Sequence, residues 1–223
     1  MSFAWSFSVL DMFEVCNKKY YHLKVLKRGQ DGYFKDADSD AARDGKYVHE
    51  VMYNRVLEGI PLPPQIRHFD HVAARFAATE GEKYGEMKLA LNKAFEPRDF
   101  FAKDVWVRAV LDLLIVRGDS AILVDWKTGK KKVRWDQLRL AAAILSRYMP
   151  EIEHFKLVFV WLKDNDLSQS SVEKSEMKSV WLEFLPRIKE IQNAIQTTTF
   201  LAMPSGLCSW CPVDTCPHWR ARD

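Results

Sequence analysis

The chain has 223 residues, 48% of them hydrophobic, a formal net charge of +3 and an isoelectric point near 8.6. This length and composition support one large domain with a sizeable core, and the mild basicity is compatible with a nucleic-acid partner without requiring one. No apolar run approaches the ~18 residues of a membrane span. The N-terminus lacks the basic segment and apolar core of a signal peptide, so a cytoplasmic protein without a membrane partner is expected. The G-K-K-K at 129–132 lacks the first glycine and the Ser/Thr of a phosphate loop, so any nucleotide-driven motor would be another chain.

In chain order, the spacing of Leu10, Phe13, Tyr20 and Leu23 predicts a helix over 8–27, with Ser8 as its cap. Residues 29–40 are polar and turn-rich and read as a loop. A second helix is expected over 41–57, stopped by Gly59 and Pro61, and I-P-L-P-P at 60–64 reads as a linker. Residues 66–91, rich in Ala and charge, read as a third helix, weakened near Gly81 and Gly85. The β-branched and aromatic run over 104–116, the R-G-D-S turn at 117–120 and the strand over 121–126 predict a hairpin. A basic connection (130–134) leads to a helix over 135–148, stopped by Pro150. A buried strand over 155–162, a short partner over 168–172 and a long helix over 177–197 containing Pro186 follow. Helices around a hairpin and a further strand predict an α/β or α+β sandwich.

Four cysteines are present: Cys16, Cys208, Cys211 and Cys216. Disulfides are a poor explanation in a cytosolic chain. A tight C-x2-C followed by a further Cys is the pattern of a metal or cluster site, and Pro204, Pro212 and Pro217 argue against a packed helix there. The bland alternative is buried thiols acting as small hydrophobes.

The stretch V-D-W-K-T-G at 124–129 closes the predicted hairpin. On a strand, Asp125 and Lys127 project from one face and Trp126 from the other. A surface ion pair is the plain reading, and such pairs contribute little. Asp112, on the preceding strand, changes the weighing. Hairpin geometry can set Asp112 beside Asp125, and two adjacent carboxylates are unfavourable unless a cation joins them. Mg²⁺ or Mn²⁺ takes such oxygen ligands, and a lysine beside it can orient water or offset charge on a phosphate. Lys130, Lys131, Lys132 and Arg134 read as a solvated loop that could also contact DNA phosphates. Trp135 and Tyr148 could stack on bases, although core packing is their expected job.

Asp112 followed by V-D-W-K-T-G resembles the PD-(D/E)XK nuclease superfamily, in its RecB-like iron–sulfur branch. The G-K-Y-V-H at 45–49, Gln137 opening the next helix, the cysteine-bearing first helix and the C-terminal cysteines match that branch in order and spacing. Similar proteins include nuclease domains of helicase–nuclease recombination complexes and stand-alone CRISPR-adaptation nucleases. The resemblance implies a restriction-endonuclease-like α/β core, a central mixed sheet flanked by helices, within one nuclease domain over 1–223. Residues 1–28 with 200–223 would form the cluster-binding part and 41–200 the helical and catalytic core. It implies that His49, Asp112, Asp125 and the Trp126 backbone carbonyl hold Mg²⁺ or Mn²⁺, that Lys127 is catalytic and that Gln137 contacts the site. It further implies that Cys16, Cys208, Cys211 and Cys216 hold a 4Fe–4S cluster tying the first helix to the tail, with Zn²⁺ on the same thiolates as the alternative and His218 as a spare ligand. An acid upstream of the hairpin is expected, with Glu80, Glu82 and Glu86 competing. The chain departs from the pattern at Asn17, where proline is usual, in its C-x4-C gap, and at Leu140 and Ala141, where tyrosine is frequent.

The expected function is a metal-dependent DNA exonuclease acting on single strands or free ends in recombination, repair or DNA processing. Partners would be DNA, further copies of the chain, or recombination or CRISPR proteins. The alternatives are a catalytically silent binding or scaffolding subunit, which would lack Asp125 or Lys127, and an iron–sulfur redox protein, which would not need the acid–acid–lysine set.

Overall fold

A computed structural model describes residues 4–27 and 40–220, so residues 29–39 of the predicted 29–40 loop lie outside the described residues. The chain divides into two compact units. One comprises Met1–Trp5 with Asp44–Leu182, the other Ser6–Arg43 with Glu183–Asp223.

The first unit is built on a six-stranded mixed sheet. Its strands are β1 (Trp5–Ser6), β2 (Glu82–Leu91), β3 (Val107–Arg117), β4 (Ser120–Lys127), β5 (His154–Trp161) and β6 (Asp166–Glu173). The order is β1-β3-β4-β5-β6, with β2 pairing β3. The β2/β3, β3/β4 and β5/β6 pairs are antiparallel and β4/β5 is parallel. A parallel pair needs a long crossover, and helix α5 (Trp135–Tyr148) provides it. The hairpin, both later strands and α5 lie where the sequence puts them. Leu140 and Ala141 are buried in the core.

The region of 66–91 is a correction. The helix there, α4 (Asp70–Ala78), follows a 3-10 turn over Pro64–Phe69 and stops at Thr79, and residues 82–91 form β2 rather than more helix. Two glycines explain the switch. Gly81 has φ +128, and a Cβ there would meet the Val116 carbonyl oxygen at 2.5 Å. At Gly85 a Cβ would sit 1.8 Å from the Tyr53 ring, which lies flush against the strand. Pairing along the whole of β3 then outweighs the helix propensity of the Ala- and Glu-rich stretch.

Helix α3 (Asp40–Leu57) ends before Gly59, whose φ of +71 suits a helix stop. Val48, Met52 and Val56 of α3, with Val72 and Ala73 of α4, pack on Leu113, Ile115, Val124, Trp126, Val158 and Val160. This burial is the main force holding the layer together.

In the second unit the predicted first helix is shorter and broken. Helix α1 (Phe7–Val15) is capped by Ser6, not Ser8, whose hydroxyl accepts from the Val9 N–H at 3.4 Å. Cys16 is extended and interrupts the helix before α2 (Asn17–Tyr20) and a π-helical turn over Tyr21–Val25. Asn17, where proline was expected, donates its side-chain amide to the Phe13 carbonyl at 2.8 Å and so satisfies an open helix end. Helix α6 (Met177–Thr197), of which Glu183–Thr197 belong to this unit, runs through Pro186 as predicted. Its Arg187 grips Glu14 of α1 in a two-pronged ion pair at 2.6 and 2.8 Å. Phe200 stacks on Tyr21, with ring centres 4.6 Å apart.

Candidate functional site

Strand register builds the site. The β3/β4 ladder ends at Leu113 opposite Val124, so the next position outward sets Asp112 opposite Asp125. On the other edge of β3, Gly85 faces Leu113 and Met87 faces Leu111, which sets Glu86 opposite Asp112. Three carboxylates thus lie in one row across β2, β3 and β4. Glu86 has φ +48, a left-handed backbone that a non-glycine residue adopts at a cost. His49 of α3 approaches the row, its Nδ1 3.4 Å from Asp112 Oδ2. The ligand atoms of His49, Glu86 and Asp112 all lie within 4.8 Å of one another. They line an open cleft with Lys46, Glu50, Tyr53, Asn54 and Val110.

Of the sequence-predicted ligands, His49 and Asp112 belong to this group, and Glu86 emerges from the three competing acids as its third member. Asp125 is the next group along the row. Its Oδ2 lies 2.8 Å from Lys127 Nζ, and its Oδ1 accepts from Gln137 Nε2 at 2.7 Å. The Lys127 ammonium in turn donates to Gln137 Oε1 at 3.1 Å. Asp125, Lys127 and Gln137 therefore close a ring of contacts, as the alternation of β4 requires. Trp126 points the opposite way into the core, 1% exposed and edge-on to Phe76. Its backbone N–H donates to Asp112 Oδ2 at 2.8 Å and fixes that carboxylate.

The electrostatics follow from burial and like charge. Burial pushes Asp125 up to about 6, the Asp112 charge pushes the same way, and Lys127 and His49 offset only part of it. Burial and then the Asp112 charge also raise Glu86. For His49, burial favours the neutral ring, but the hydrogen bond and charge of Asp112, with smaller help from Asp125 and the Trp126 backbone, outweigh it and raise the pKa. Asp125 Oδ2 makes its ion pair with Lys127 but no directional hydrogen bond, although it is buried. A row of carboxylates with one buried lone pair unused, beside an imidazole, is an oxygen-rich donor set that fits a hard divalent cation.

Half of the basic connection is engaged. Lys131 pairs with Asp166, and Arg134 with Asp136 at 3.2 Å, while Lys130 and Lys132 are exposed. Trp135 packs on Phe159, and the Tyr148 hydroxyl meets the Ala90 backbone, so both serve the core.

In the second unit, Cys16, Cys208, Cys211 and Cys216 line one small cavity with Lys18, Lys19 and His218. The Cys208 sulfur accepts from the Ser205 N–H at 3.3 Å. Burial raises the Cys211 thiol, the neighbouring Cys16 and Cys216 add to the rise, and the Val213 N–H and Lys19 offset part of it.

A mixed sheet flanked by helices, carrying an acidic row with a lysine at its rim, defines a restriction-endonuclease-like nuclease core. The sequence matches the PD-(D/E)XK nuclease superfamily over residues 4–217, and the chain belongs to that family. Its fold is similar to the solved structure of a candidate exonuclease from Eubacterium rectale, at 13% identity and a TM-score of 0.55, covering 98% of this chain and 88% of that one. The crystal structure of SSO0001 matches at 12% identity with a TM-score of 0.49, covering 98% and 88%. No curated protein matches in sequence. Members of this family generally use divalent metals such as Mg²⁺, and DNA is the substrate that the family implies. Among the described residues, no helix is long and apolar enough to cross a membrane.

Proposed function

We propose that the protein is a metal-dependent deoxyribonuclease that trims single-stranded or free-ended DNA as an exonuclease, in recombination, repair or DNA processing. The observation that carries this reading is the row Glu86–Asp112–Asp125 with Lys127 and Gln137 at its end. His49, Glu86, Asp112, Asp125 and the Trp126 carbonyl would hold Mg²⁺ or Mn²⁺, which when bound neutralises phosphate charge and acidifies water. Lys127 sits at the rim of the row, where its ammonium orients the attacking water and offsets charge that develops on the phosphate oxygens. Gln137 positions both partners, holding Asp125 by its amide N–H and Lys127 by its amide oxygen. Hydrolysis then forms one bond from the water oxygen to phosphorus and breaks the opposite P–O bond.

The four cysteines are proposed to hold a 4Fe–4S cluster. What supports a shared ligand is that the four cysteines line one small cavity; tetrahedral zinc on the same thiolates is the alternative. The intact Asp125–Lys127 pair argues against a silent scaffolding subunit.

Digestion of end-labelled single- and double-stranded DNA tests the reading. Ladders that shorten from an end in Mn²⁺ and vanish in EDTA are expected. An anaerobically purified protein that leaves both substrates intact contradicts it.

A further inference from the structure

The sheet face that carries the acidic row continues beyond it. On β3, Val110 and Arg108 follow Asp112 on the same face, about 7 and 14 Å away along the strand at ~3.4 Å per residue. On β2, Lys88 stands opposite Val110, and its charge is felt at Glu86. Val110 is 44% exposed and lines the same cleft as His49, Glu86 and Asp112. At the far end of this track the segment after β2 returns over the face and presents two aromatic rings. Phe101 is 79% exposed, the most exposed large apolar side chain among the described residues. Phe100 stands edge-on to it, with ring centres 5.1 Å apart. Lys88 Nζ lies 5.9 Å from the Phe101 ring centre and 6.0 Å from that of Phe100, and the Arg108 guanidinium lies 5.4 Å from Phe100. Arg108 also donates to the Phe100 carbonyl at 2.7 Å, which fixes the segment's backbone.

Phe101, an exposed ring beside Lys88 and edge-on to Phe100, which Arg108 borders, has no folding reason to face water. Burying Phe101 would stabilise the protein by the usual hydrophobic gain. Its surroundings match what an unpaired nucleic-acid strand offers, a π-face on each base and a negative backbone.

We infer that Phe101, with Lys88 and Arg108, forms a stacking platform for an unpaired base of a nucleic-acid strand whose adjoining phosphate reaches the acidic row. This rests on the nuclease reading and adds a determinant for single strands. A base inside a duplex is stacked on both faces and cannot lie on Phe101, so the platform favours frayed ends and single strands. Lys88 and Arg108 contribute phosphate affinity that salt screens.

Fluorescence anisotropy of a labelled oligothymidine and of a blunt duplex, in EDTA so that no cleavage intervenes, tests this directly. Phe101→Ala should weaken single-strand binding about tenfold, as loss of one stacked base does, with little change for the duplex. Phe101→Trp should restore it, which a merely structural ring would not require. Lys88→Ala should reduce the slope of log affinity against log salt by about 0.7. Equal single-strand affinity for Phe101→Ala and the unmodified protein overturns the inference, as does equal weakening for both substrates. Because the readout is binding, failure of the nuclease reading is seen separately, as a protein that discriminates strands in this assay yet cleaves neither in Mn²⁺.

Discussion

The acidic row sits on a sheet whose neighbouring residues Leu113, Leu114, Leu123 and Val124 are each at most 1% exposed, whereas across residues 201–220 Val213 is the one buried side chain. The sheet unit is thus held by apolar burial, and its carboxylates are presented by a scaffold that exists before any ion binds. The cysteine segment has almost no core of its own. Its fold rests on a few backbone hydrogen bonds, and binding of the proposed cluster there would be coupled to folding. One region spends stability to hold charges together, and the other is proposed to gain stability by gathering a ligand.

The sharpest way to break this contrast is Cys211→Ser. Bound metal should fall to background and residues 198–220 should become protease-sensitive, while the far-ultraviolet dichroism from the sheet persists. Full iron content in that variant would remove the distinction. Gly85→Ala probes the sheet side. Its Cβ would overlap the Tyr53 ring, so a loss of about 1–3 kcal/mol is expected. Denaturant unfolding should show the loss largely relieved when Tyr53→Ala is combined with it.

Glu86 separates stability from chemistry within the row. Glu86→Gln should weaken Mn²⁺ binding roughly tenfold by removing a charged ligand. Glu86→Gly should weaken it similarly yet raise stability by about 1 kcal/mol, because glycine adopts φ +48 without strain. Calorimetry paired with thermal melts reads both effects.

The smallest effect is on pH. Asp125 is raised from 3.8 to about 6 in the metal-free fold. Folding therefore favours the protonated acid. That stabilisation is complete below pH 3.8 and is lost as pH rises through about 6. Asp125→Asn should flatten this part of the melting profile. Metal competes for the ionised form, so Mn²⁺ affinity in the unmodified protein should climb with pH up to about 6 and level off above it.

Much of the chemistry was legible because it is local. Asp125 and Lys127 share a face by strand alternation, and Asp112 meets Asp125 through a hairpin closed by an evident turn. The bounds of α5 and α6 followed from their apolar spacing. Glu86 was legible only as one of three competing acids, because it lies on a stretch whose alanines and charges read as helix. The signal was present in Gly81 and Gly85, where glycines in an otherwise helical pattern marked a strand pressed against Tyr53 and Val116. The pairing of Lys131 with Asp166 was equally hidden, since it depends on β6 and not on the basic run itself.

The central claim is that a lysine completes a metal-dependent hydrolytic centre at the end of the acidic row. Single-turnover cleavage of end-labelled single-stranded DNA in Mn²⁺, comparing Lys127→Ala with the unmodified protein at matched DNA occupancy, tests it most directly. The account predicts a rate loss of about 10²–10³-fold or more with binding largely retained. Cleavage at the unmodified rate would contradict it.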